Sequence, residues 1–257
     1  MGNEHQKGFV LAEITKSGIG IITFGHPMSN ALPGAILETL AQSINQIASD
    51  QRCKVIVLQS QGSKAFCAGA SFDELISISD YESGLEFFSG FAKVINACRK
   101  APKLIIGRVQ GKAVGGGVGL ASATDYCFAT QKAQIKLSEL AVGIGPFVVG
   151  PAVERKIGKS AMSELAIDAT QWRSAQWAKE KGLFNEVYPD EIEMDAAIER
   201  LSTQLVCSNP EAISELKKIF WEGTDHWDEL LLQRATISGR LVLSDFTKNA
   251  ISAFKTK

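Results

Sequence analysis

The chain holds 257 residues, 45% of them hydrophobic and 21% charged, with 27 Lys+Arg against 28 Asp+Glu. That composition suits a folded globular protein and excludes a mainly disordered one. A formal charge of −1 gives no electrostatic reason to expect a nucleic acid or a membrane surface as partner.

Along the chain, Phe9 to Thr15 and Gly18 to Phe24 alternate or run apolar around Lys16-Ser17-Gly18, which predicts a hairpin. Helical spacing follows from Leu32 to Ala48, carried by Leu32, Ile36, Leu40, Ile44 and Ile47. Val55 to Leu58 reads as a strand buried on both faces. Gln61 to Ser71 reads as a loop of small residues, and Tyr81 to Arg99 as a helix stopped by Pro102. Lys103 to Val109 is a further strand, leading through Gly111 to Gly115-Gly116-Gly117 and a short helix before the strand Tyr126 to Ala129. Ile192–Leu205, Pro210–Trp221 and Asp225–Phe254 all read as amphipathic helices. Repeated strand–helix units followed by helices predict an α/β protein with a helical C-terminal piece.

Three other classes find little support. Met1 to Gly8 is polar, Gln6 stands where a myristoylation signal needs Ser or Thr, and no apolar run approaches the roughly 20 residues that cross a bilayer. A cytoplasmic protein is expected. The cysteines, Cys53, Cys67, Cys98, Cys127 and Cys207, are odd in number and form no C-x-x-C pair, so reduced thiols are expected. His5, His26 and His226 are widely separated, and no metal site is expected.

Gly115-Gly116-Gly117 follows a strand and opens a helix, so its N–H groups can meet a ligand unhindered. Phosphate or dinucleotide binding, an oxyanion hole and plain helix–strand packing all fit. The dinucleotide reading fails on three counts: the cluster lies mid-chain, its helix is too short for a βαβ crossover, and no Tyr-x-x-x-Lys follows Tyr81, Tyr126 or Tyr188. Gly158-Lys159-Ser160 lacks the first glycine of a phosphate loop, with Val153 in its place. Ser214-x-x-Lys217 lacks companion motifs; both read as solvated helix positions. A second small-residue loop, Lys64 to Phe72, also follows a buried strand. Two such units can aim two N–H groups at one point, which an oxyanion hole requires.

On these residues the chain resembles the crotonase (enoyl-CoA hydratase/isomerase) superfamily. His26-Pro27-Met28-Ser29-Asn30-Ala31-Leu32 is similar to the family's first helix entry, Lys64–Ala70 to its first oxyanion loop, and Val109–Gly117 to its second. Ile157–Ala161, Ala178–Leu183 and Ser252-Ala253-Phe254 resemble later family segments. The resemblance implies a crotonase fold, a spiral of ββα units over residues 1–195 with a C-terminal helical oligomerisation region over 196–257. It also implies a homotrimer or dimer of trimers. Coenzyme A then belongs to the substrate, and no separate cofactor is expected.

By resemblance, the N–H groups of Ala70 and Gly116 polarise the thioester carbonyl of an acyl-CoA. Lys64, Ala65, Phe66, Ala68, Gly69, Gly115, Gly119 and Phe147 border the substrate, with adenine along Lys64-Ala65-Phe66, and Phe254 and Lys257 lie near the CoA phosphates. Family hydratases use two glutamates. Here the first position is Gly119 and the second is Glu139. One carboxylate in an apolar site, its pKa raised, suits proton transfer, so shifting the double bond of a 3-enoyl-CoA is the favoured activity. Hydration, including of a branched substrate such as methylglutaconyl-CoA, requires a substitute carboxylate such as Asp73 or Glu74. A CoA-binding scaffold without chemistry is the reading from another class. Ser71 stands where the family has Asp, and Pro146–Pro151 replaces a Gly/Ala segment, so a short or branched acyl chain is expected. Arg108, in a buried strand, needs a charged partner, for which Asp125 is a candidate, unless Arg108 faces an edge or a subunit contact.

Overall fold

The computed structural model describes residues 8–255, with side chains as far as Ala253. The hairpin forms as expected: β1 (Phe9–Ile14) pairs antiparallel with β2 (Ile19–Gly25), whose Gly20, Ile22 and Phe24 turn to the core at the strand period of two. Helix α1 (Gly34–Ser49) begins two residues later than its apolar spacing suggests. Leu32 precedes a proline, which disfavours helical backbone, and it bridges to Ala70 instead.

Strand β3 (Val55–Ser60) is buried on both faces, as read. The segment read as a loop contains β4 (Ala65–Cys67), too short for a periodic signal and held only by its pairing. Then come α2 (Phe72–Ser77) and α3 (Tyr81–Lys100), the latter opened by an Asp80–Ser83 capping box. They are followed by β5 (Ile105–Val109), β6 (Lys112–Val114), α4 (Gly116–Ala123), β7 (Tyr126–Thr130), β8 (Gln134–Lys136) and a 3-10 turn at Glu139–Val142. Next are α5 (Gly150–Ile167), β9 (Arg173–Ser174), α6 (Ala175–Glu180) and β10 (Glu186–Tyr188).

The strands form two sheets, ordered β1-β2-β3-β5-β7-β10 and β4-β6-β8-β9. Each of β3–β4, β5–β6 and β7–β8 sends its first strand to the large sheet and its second to the small one, and a helix follows. The units stack in parallel, β3 with β5 with β7 and β4 with β6 with β8. This is the expected ββα spiral, and it brings the loops after β4, β6 and β8 to one end of the small sheet.

Four helices close the chain: α7 (Glu191–Val206), α8 (Pro210–Phe220), α9 (Trp227–Leu241) and α10 (Asp245–Lys255). The division expected near residue 195 falls inside α7, which lays Met194, Ala197 and Ile198 on Val55, Val57, Ile106 and Phe128 of the large sheet. The single helix read over 225–254 is two, because Ser244 Oγ accepts from Thr247 N–H at 3.3 Å and starts α10 afresh. Helix α9 lies against α3 where two glycines meet: a Cβ on Gly239 would stand 2.8 Å from Leu85 N, and one on Gly84 2.9 Å from Gly239 O.

Two charged residues differ from expectation. Arg108 does not meet Asp125; its guanidinium faces α7 and donates to Asp195 at 2.5 Å and Glu191 at 3.1 Å. Asp125, on the other side of the sheet, accepts from Lys217 Nζ at 2.6 Å, Trp221 Nε1 at 2.8 Å and Ile105 N–H at 2.7 Å. Lys217 is therefore not a solvated helix position. With Ile213 it forms the buried face of α8, and both members of the Lys217–Asp125 pair have side chains only 3% exposed. Among the described residues no helix is long and apolar enough to cross a membrane.

Candidate active site

The first loop leaves β4 and is pinned at both sides of Ala70. Leu32 N–H donates to Gly69 O at 2.8 Å and Ser71 N–H to Leu32 O at 3.4 Å. Gly69 C=O points at Leu32, and a trans peptide sets its N–H opposite its C=O, so that of Ala70 turns away from Leu32. The second loop leaves β6 through Gly115, at φ +52°, a conformation open to glycine at little cost. Gly115 N–H is spent on Lys136 O at 2.8 Å. Gly116 then starts α4, where the first N–H groups have no intrahelical acceptor. The loops touch: a Cβ on Gly69 would lie 3.4 Å from Gly116 N. A side chain on Gly116 itself would run into the Phe91 ring at 2.1 Å, so only glycine fits.

Ala70 and Gly116 border one cavity of about 620 Å³, open mouth included. Its walls come from α2 and α3 (Phe72, Leu75, Phe88, Phe91) and from the segment after β8 (Val142, Ile144, Phe147, Val148). Glu139 also borders it. Its Oε2 is shielded from solvent and has no hydrogen-bond partner among the described residues. Oε1 lies 3.0 Å from the point a Gly115 Cβ would occupy. Burial pushes the carboxyl up to about 7, because the anion loses its hydration and its own backbone N–H offsets that loss only in part. A carboxyl poised there can both accept and donate a proton near neutral pH.

The sequence-predicted residues divide. Ala68, Gly69, Ala70, Gly115, Gly116, Glu139 and Phe147 line the cavity together. Lys64, Ala65 and Phe66 do not: Phe66 is fully buried against Phe24, with ring centroids 5.6 Å apart, and Ala65 O already accepts from Asn30 and Gln110. Gly119 is not among the residues that line the cavity. A Cβ there would stand 2.5 Å from Val149 Cγ1, so valine occupies the place of a side chain at 119. Glu74 is no substitute, since its Oε2 accepts Gly34 N–H at 2.7 Å at the start of α1, and Asp73 is not among the lining residues. The Phe254 side chain and Lys257 lie outside the described residues. Sequence reasoning missed Phe91 and Ser238, which reach the site from distant helices.

Known proteins resemble this chain in sequence and in fold. The chain is 31% identical to the mitochondrial enoyl-CoA hydratase of Pongo abelii over 234 residues, 90% of this chain and 77% of that one. It is 28% identical to the mitochondrial Delta(3,5)-Delta(2,4)-dienoyl-CoA isomerase of the same organism over 212 residues, 77% and 63% of the two chains. The fold matches the crystal structure of an enoyl-CoA hydratase from Bacillus halodurans with a TM-score of 0.87 at 21% identity, covering 95% and 99% of the two chains. The family model described as enoyl-CoA hydratase/isomerase matches residues 14–255, and the chain belongs to that family.

Proposed function

We propose that the protein moves the double bond of a 3-enoyl-CoA to the 2-position, with Glu139 as the one acid/base. The thioester oxygen accepts from Ala70 and Gly116 N–H. The Glu139 carboxylate takes a proton from C2, and the electron pair delocalises into the carbonyl as an enolate whose charge the two N–H groups meet. The same carboxyl returns the proton at C4, leaving the double bond between C2 and C3. No atom is gained or lost.

The observation that carries this reading is the filling of the 119 position by Val149, which leaves a single carboxylate on the cavity. Hydration asks for a second one to activate water, and Glu74 is engaged in capping α1. The lining residues include no Lys, Arg or His to meet the free carboxylate of methylglutaconyl-CoA. Phe147, Val148 and Val149 together support a short acyl chain. Assembly into a trimer or dimer of trimers belongs to the same reading, supported by Leu216, Ile219 and Phe220, which expose one apolar face of α8.

The test gives purified protein a matched 2-enoyl-CoA and 3-enoyl-CoA and follows absorbance of the conjugated thioester. Conversion of the 3-enoyl substrate, with little loss of the 2-enoyl one, is expected. Hydration of the 2-enoyl substrate at comparable rates overturns the single-base reading. Retained binding with no turnover of either favours a scaffold.

A further inference from the structure

Most of the cavity wall is hydrocarbon, and only Ser138, Glu139 and Ser238 bring polar side chains to it. Ser238 comes from α9 and is 1% exposed. Some buried or half-buried helical hydroxyls of this chain bond back to the preceding turn, as Ser89 Oγ does to Leu85 O at 2.6 Å. Ser238 Oγ does not, and among the described residues it has no hydrogen-bond partner. Nor is it sealed in, since the residue borders the cavity and its oxygen is absent from the enclosed, unpartnered atoms Gln110 Oε1, Ser122 Oγ, Glu139 Oε2 and Ser202 Oγ.

The placement is rigid. Gly239, the next residue, presses its backbone on Leu85 of α3, which fixes the rotation of α9 and turns Ser238 to the cavity beside Phe88 and Phe91. A hydroxyl facing an apolar cavity is satisfied by water while the site is open. When an acyl chain displaces that water, the hydroxyl either finds a partner on the chain or is stranded at a cost. A carboxylate is a poor partner here, because no cationic side chain lines the cavity and the ionised Glu139 would repel it.

We infer that Ser238 is a specificity-determining residue that hydrogen-bonds a neutral hydroxyl or carbonyl group on the acyl chain, an inference resting on the acyl-CoA reading above. The substrate class is then an oxygenated short-chain enoyl thioester rather than a plain hydrocarbon one.

The experiment measures binding by calorimetry of pentanoyl-CoA and of its 3-, 4- and 5-hydroxy and 4-oxo derivatives to the wild-type protein and to Ser238→Ala. These thioesters are saturated, so the result reads Ser238 whether or not Glu139 catalyses isomerisation. At least one oxygenated derivative is expected to bind about tenfold or more tighter than pentanoyl-CoA, and Ser238→Ala to erase that preference while sparing pentanoyl-CoA. The inference is overturned if no derivative is preferred, if the preference survives Ser238→Ala, or if Ser238→Ala weakens every thioester alike, which marks a packing role.

Discussion

Gly119 and Val149 share one place: a Cβ on the first would stand 2.5 Å from Cγ1 of the second and 2.7 Å from its Cβ. The absence of a carboxylate at 119 is therefore built into the packing of α4 against the start of α5. Gly119→Glu alone should overpack this contact, lowering stability by about 1–3 kcal/mol in urea titration and giving no hydratase activity. Gly119→Glu with Val149→Gly removes the obstruction. That pair should recover much of the stability and gain measurable hydration of a 2-enoyl-CoA. A single variant as active in hydration as the double one would show that Val149 does not exclude the second carboxylate.

Glu139 should impose its own pH dependence. Its folded pKa is raised from 4.5 to about 7 by burial. Below pH 4.5 it is protonated in folded and unfolded chains alike and contributes nothing. Between pH 4.5 and 7 the unfolded chain ionises while the folded one resists, so stability is lost as pH rises, by about 3 kcal/mol in all. Glu139→Gln should therefore gain in Tm over the wild type between pH 4.5 and 8, with little difference at pH 4. A Tm difference flat across that range would mean the carboxyl titrates as in water.

On the proposed function, the same group should set the rate. A base must be ionised, so kcat/KM for the 3-enoyl substrate should rise with pH through an apparent pKa near 7. Glu139→Gln should cut turnover by about 10²–10⁴-fold while affinity for free CoA stays within twofold or so. Unchanged turnover would remove Glu139 from the chemistry.

The parts of this site that were legible in the sequence are those set by local backbone. Small residues after short strands marked the two loops that meet at Ala70 and Gly116, whereas Gly119 and Glu139 stood out only through the family resemblance. What stayed hidden depends on contacts between distant segments. Val149 meets Gly119 across thirty residues, Ser238 reaches the cavity only because Gly84 and Gly239 let α3 and α9 touch, and Phe91 closes on Gly116 from a segment read simply as a helix stopped by Pro102. Strand–helix alternation was legible in the sequence and the ββα spiral came only with the family resemblance, since β4, three residues long, exists only through its pairing with β6. Arg108 and Asp125 looked like partners because each needed one. They lie on opposite faces of the large sheet, which spacing along the chain cannot reveal.

Asp125 and Lys217 give the last test. The pair is almost fully buried at 2.6 Å, and the same carboxylate holds Trp221 Nε1 and Ile105 N–H, so it ties α8 to the end of the large sheet. Removing one member strands the other charge without water. Lys217→Ala should therefore cost about 3–5 kcal/mol in urea titration. Lys218, one residue on, reaches Glu215 at 2.6 Å, but both side chains are more than half exposed. Solvent screens that pair, and Lys218→Ala should cost less than about 0.5 kcal/mol. Replacing both Asp125 and Lys217 by apolar residues should recover part of the loss, since no charge is then left buried alone. Equal costs for the two lysines would show that Lys217 is hydrated in solution and that α8 is not anchored through it.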